Sequence, residues 1–183
     1  IDGRVQGEHY STSHFALISA ILFGETGNKK YLTSAKAAIN FHLRTSPDEY
    51  APISEWMYHW DFQNYAFVLT YRLLEKHLTS QEQERWKKGL LQWQTNAANK
   101  LTNWAGMRAW AFAERYHLWG KRVDMLKMKW NLYYLSKARH EDGCFDDNVN
   151  MSRPIQYHIF TVCLLHRMLM LHENKTLQHW FNQ

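Results

Sequence analysis

The chain has 183 residues, with 22 Lys plus Arg against 17 Asp plus Glu, a formal net charge of +5. At 45% hydrophobic and 21% charged it holds ample apolar material for a core, which excludes a disordered chain. Two cysteines, Cys144 and Cys163, are too few for a disulfide framework or a four-ligand zinc site, and no apolar run approaches a membrane span.

Only 3 Pro and 8 Gly are present, and Leu outnumbers Val and Ile together, a balance that favours helix over sheet. In chain order, an apolar stripe predicts a helix over 13–23 that stops at Gly24. A second follows over 30–43, with Asn28 as its N-cap. Residues 45–60, with Pro47 and Pro52, read as a long connection. Phe62, Tyr65, Ala66, Leu69, Leu73 and Leu74 recur at helical spacing and place a helix over 61–78. Ser80-Gln81-Glu82-Gln83 reads as a capping box opening a helix that runs to about residue 99. A helix over 105–119 ends at Gly120, a natural C′ glycine, and another spans 122–138. Residues 140–153 form a polar loop. Pro154 opens a helix to residue 171, and a short tail helix covers 176–181.

Phe15, Tyr65, Trp110 and Tyr157 mark similar places early in four apolar helices, at spacings of 50, 45 and 47 residues. A period of that length holds two helices and two connections, so the chain reads as about three and a half helical hairpins. The expected fold is all-α, a single domain over 1–183 with the apolar helices inside and the charged ones facing water. The four markers are then expected to be buried together. The connections leading into the inner helices are the long ones, rich in polar and aromatic residues, and they gather at one end of the array. Loops gathered this way usually form the binding face. Because the hairpins are too few to close a ring, the last inner helix is expected to expose Leu164, Leu165, Met168 and Met170. The remainder of a longer chain, a second copy or the tail would then cover that flank.

The hairpin period, together with Glu25-Thr26-Gly27-Asn28-Lys29-Lys30-Tyr31-Leu32 and the tract Asp142-Gly143-Cys144-Phe145 followed by Arg153-Pro154-Ile155-Gln156-Tyr157-His158, resembles the α/α-toroid domains of polysaccharide lyases. The resemblance is to the heparinase II/III-like and alginate-lyase-like group, and more distantly to six-hairpin glycosidases. It implies a partial α/α toroid acting on an acidic, uronate-containing polysaccharide by β-elimination, in the periplasm or outside the cell. A glycoside hydrolase and a non-catalytic helical-repeat binding module are the alternatives.

Elimination on a uronate requires a group to offset the carboxylate, a base for the C5 proton and an acid for the leaving oxygen. In the resembled lyases these are Asn, Arg, His and Tyr. The matching candidates here are Tyr157, His158, His59 and Asn103 for catalysis. Arg153 and Arg108 are candidates for the carboxylate, and Trp60 and Trp104, placed in the long connections, for stacking on a ring. Hydrolysis would draw instead on a carboxylate pair among Glu55, Asp61, Asp142, Asp146 and Asp147. Each of these residues also has an ordinary structural role open to it, as a packing aromatic, a cap or a solvated turn. No glycine-rich phosphate loop and no His-Glu-x-x-His is present, so no cofactor and no metal are expected. Lys29-Lys30 and Lys87-Lys88 are too short for a nucleic-acid patch.

Overall fold

The computed structural model describes residues 11–44, 60–92, 101–146 and 155–182. They contain eight helices: α1 (Ser11–Thr26), α2 (Lys29–Arg44), α3 (Trp60–Leu74), α4 (Ser80–Gln92), α5 (Thr102–Trp119), α6 (Arg122–Ala138), α7 (Ile155–Leu171) and α8 (Lys175–Phe181). A 3₁₀ turn, Glu75–His77, extends α3. The extended pairing among these residues is a single antiparallel bridge, Arg139 with Phe145. The chain is therefore all-α as its composition requires, and no described helix is long and apolar enough to cross a membrane. The helices group into two compact units, residues 1–96 and 97–183.

In the first unit α1 and α2 form a hairpin and α3 packs beside α1. The buried stripe of α1 consists of Thr12, Ser13, Ala16, Ser19 and Ala20. Small side chains at this spacing let neighbouring helix backbones approach closely. They also turn Phe15 to the opposite side, where it is 40% exposed together with Ile18 and Ile21. Asn28 caps α2 as expected, its Oδ1 accepting the Lys30 N–H at 3.0 Å. The capping box of α4 is displaced by one residue from the expected one. Thr79 Oγ1 accepts the Glu82 N–H and Glu82 Oε2 accepts the Thr79 N–H at 2.8 Å. Glu82 prevails over Gln83 because a carboxylate gains from the helix N-terminal charge and makes the stronger bond. It also accepts Lys36 Nζ from α2 at 2.9 Å. Asn40 Oδ1 accepts both Arg85 Nη2 and Trp86 Nε1, closing the same α2–α4 seam. Partial burial pushes the Glu82 carboxyl up, but the Thr79 N–H and the Lys36 ammonium more than offset this, and the net shift is downward.

In the second unit α5 and α6 form a hairpin, α7 packs beside α5, and α8 folds back on α7. The turn between α5 and α6 closes at Gly120, whose φ of 65° is the left-handed conformation that favours glycine. Just beyond it, Arg115 of α5 meets Asp124 of α6 through Nε at 3.1 Å and Nη2 at 3.0 Å, both side chains buried. Lys127 and Arg115 flank the Phe112 ring at 5.3 and 5.5 Å.

Two expectations about burial are corrected. Of the four repeat markers, Trp110 is buried and Tyr65 half-buried, but Phe15 and Tyr157 are exposed. Equal spacing along the chain does not give equal rotation about each helix axis, so the markers land on different faces. Leu164, Leu165 and Met168 are also buried; Leu164 lies against Gly106 of α5, and Met170 alone of that set is exposed. The tail supplies α8, whose Leu177 is fully buried.

Two outcomes follow from these contacts, the first a contrast between a buried and a surface ion pair. Asp124→Asn strands a buried guanidinium and should destabilise the second unit by about 3 kcal/mol in urea unfolding. Lys87→Ala removes only a surface pair with Glu84 and should change stability by less than about 0.5 kcal/mol. The second outcome concerns His42 of α2, buried with its ring centroid 4.0 Å from that of Phe67. Burial lowers its pKa to about 3. The folded state then stays neutral while the unfolded chain gains a proton below about pH 6.5. The stability is fully present above that pH and is lost as pH falls toward 3, at up to about 1.4 kcal/mol per pH unit. His42→Leu should flatten the fall measured between about pH 7.5 and 5.5; an unchanged slope would remove His42 as its cause.

Candidate functional site

The loop end of the second unit brings together the C-terminus of α6, the turn over 139–146 and the start of α7. The turn is built by local hydrogen bonds. The His140 N–H donates to the Cys144 carbonyl at 2.8 Å and the Asp146 N–H to the Ala138 carbonyl at 3.0 Å. Asp142 Oδ1 accepts the Cys144 N–H, and Gly143 supplies the positive φ of 83° between them. Asp146 is held against His140 Nε2 at 2.6 Å. This frame holds Arg139, Glu141 and Asp142 around a cavity of about 440 Å³. Phe145 is buried beside it, and His158 and Val162 of α7 form one wall. The end of α8, Trp180 and Phe181, forms the other. Arg139 Nη2 donates to the Trp180 carbonyl at 3.4 Å, which ties the turn to α8.

Two expected residues line this cavity, His158 and, from the hydrolytic set, Asp142. The Phe145 N–H donates to His158 Nδ1 at 3.1 Å, and the His158 ring faces the Phe145 ring at 6.1 Å between centroids with 29° between the planes. An imidazole that accepts at Nδ1 carries its proton on Nε2 when neutral. His158 therefore offers the cavity an N–H donor, which suits it to hold a substrate oxygen by a hydrogen bond.

The other expected residues are distributed differently. Tyr157 is 39% exposed on α7 and lies outside the cavity lining. Asn103, Trp104 and Arg108 belong to α5, which begins at Thr102, three residues earlier than expected. All three are buried. Asn103 Oδ1 accepts the Trp104 N–H, and Arg108 Nε donates to Asn131 Oδ1 of α6 at 3.0 Å. Trp60 opens α3 in the first unit and is buried as well. Neither tryptophan therefore lies in a connection: each is buried in the first turn of its helix. His59 and Arg153 lie outside the described residues, as do Glu55 and Asp147. Asp61 is buried in the first turn of α3, where a carboxylate complements the helix dipole.

Sequence reading missed Arg139, Glu141 and Trp180. Trp180 sits in the tail helix, for which the sequence offers only a role in covering the α7 flank. Arg139 follows a helix that reads as outer and solvated. Only the fold-back of α8 brings the two together. Among the described residues no three His, Cys, Asp or Glu side chains are placed to hold a metal ion.

No family model matches the chain, and neither does any curated protein or solved structure.

The tautomer of His158 is directly measurable. Nitrogen NMR near pH 8, where an ordinary imidazole is neutral, should show an unprotonated Nδ1 and a protonated Nε2. The reverse assignment would make His158 a base toward the cavity.

Proposed function

We propose that the chain is a carbohydrate-active helical domain whose second unit holds a sugar ring in the loop-end cavity. One observation carries this reading: an arginine, a histidine N–H, two carboxylates and a tryptophan surround one cavity of about 440 Å³. Aromatic surface with a few convergent donors and acceptors is what a sugar ring needs, because its C–H face is apolar and its rim is hydroxyl. The helical hairpins α1–α2 and α5–α6, each with the next helix beside it, are consistent with a toroid-like scaffold.

Charge decides between substrate classes. Arg139 brings one positive charge to the rim, and Glu141 with Asp142 bring two negative ones. That balance favours the hydroxyls of a neutral glycan, for which carboxylates are strong acceptors. Elimination on a uronate is the second reading. It is favoured by Arg139 as partner of the sugar carboxylate and by the His158 Nε2–H as a hydrogen-bond donor to a sugar oxygen.

Glu141→Gln separates the two. Glu141 is exposed and has no hydrogen bond among the described residues, so the fold should be unaffected. Loss of a charge-assisted contact should weaken neutral oligosaccharide binding by about tenfold in calorimetry. Under the uronate reading the same change tightens binding of acidic oligosaccharides, and digestion of the polymer yields the ultraviolet absorbance of an unsaturated uronate. A protein that binds neither class would reject the glycan reading.

A further inference from the structure

A second cavity of the same unit, of about 860 Å³, lies among the C-terminal turn of α5, the length of α6 from Met125 to Ser136 and the turn between α7 and α8. It is independent of the glycan site. Met125, Leu132 and Leu171 give it apolar walls, and Tyr116 and Tyr133 add aromatic ones. Among the polar lining groups, Ser136 Oγ donates to the Tyr133 carbonyl and Asn174 Oδ1 accepts the Leu177 N–H, while His172 is held by a buried carboxylate. Its Nε2 lies 2.8 Å from Glu114 Oε1, and that carboxylate, fully buried in α5, also accepts the Trp110 indole N–H at 3.0 Å. The carboxylate accepts only, so the imidazole donates from Nε2 and its neutral form keeps a lone pair on Nδ1. The His172 side chain makes no other hydrogen bond among the described residues. The His117 ring, 5.2 Å away between centroids, is its polar neighbour.

The geometry points to a second ligand site here, for a small neutral molecule that joins an aromatic body to a hydroxyl group, with the hydroxyl donating to His172 Nδ1. Apolar and aromatic walls beside a fixed imidazole acceptor suit a ligand with a donor placed to meet it, because a donor buried without a partner costs more than it gains elsewhere. The charges argue for a neutral ligand. Lys129 and Lys175 line the cavity together with Glu173, and Glu114 lies beneath His172, so the formal charges cancel. A lysine pair at the mouth disfavours an amine, and a buried carboxylate disfavours an acid.

Four probes with one aromatic body test this on the full chain: benzyl alcohol, toluene, benzylamine and benzoate, followed by NMR shifts of cavity residues at about pH 8, where an ordinary imidazole is neutral. Benzyl alcohol should bind about fivefold more tightly than toluene, the worth of one hydrogen bond, and more tightly than either charged probe. His172→Phe keeps a ring in place and should erase the difference between benzyl alcohol and toluene. Should that variant fail to fold, the wild-type protein still decides the matter, because benzyl alcohol should move the His172 Nδ1 nitrogen resonance and toluene should not. Equal binding of toluene, preference for benzoate or benzylamine, an unmoved Nδ1 resonance, or no binding by any probe would each overturn the assignment.

Discussion

Every residue of α5 from Thr102 to Arg115 is buried, and four of them, Asn103, Arg108, Glu114 and Arg115, carry strongly polar side chains. A helix buried along its length cannot leave such groups to water, so each must find a partner inside the protein. Arg108 takes Asn131, Arg115 takes Asp124, and Glu114 takes His172. Two of these partners are on α6 and the third follows α7. The polar groups of one central helix thus fix where the helices on either side of it can sit. Buried ionic contacts add little net stability over apolar packing, since desolvation offsets much of the attraction. Their value here is register, because a helix shifted by one residue would strand a guanidinium or a carboxylate.

The first unit has polar contacts at a more exposed seam. Its α2–α4 seam uses Lys36 with Glu82 and Asn40 with Arg85 and Trp86, contacts that are partly exposed. Glu82 serves twice, as the reciprocal partner of the Thr79 cap and as the counter-charge of Lys36. The start of α4 and its distance from α2 are therefore set by one carboxylate. Inside, α1 and His42 rely on close packing, and His42 is kept neutral by burial.

Both cavities of the second unit owe their chemistry to a histidine whose tautomer is set by a neighbour. The backbone N–H of Phe145 occupies Nδ1 of His158 and leaves it a donor, whereas the carboxylate of Glu114 occupies Nε2 of His172 and leaves it an acceptor. The same residue type thus presents opposite faces in the two cavities of one helical unit. Neither orientation is visible in the residue itself. Each comes from a group that is distant in sequence, by 13 positions in one case and by 58 in the other.

What the sequence determined by itself is local. The all-α class, the bounds of α6, the Asn28 cap, the Gly120 stop and the tail helix all follow from residues within a turn of one another, because capping, propensity and glycine's freedom at positive φ act over that range. The box opening α4 was legible to within one residue. What tertiary structure decided is which face of each helix turns inward and what meets there. Phe15 and Tyr157 read as packing aromatics and are exposed; Trp60 and Trp104 read as loop aromatics and are buried in first helical turns. Arg139 and Trp180 share a cavity only because α8 folds back on α7. Burial is set by which neighbour arrives at a surface, and that choice belongs to the whole chain, whereas a helix cap is chosen by the few residues beside it.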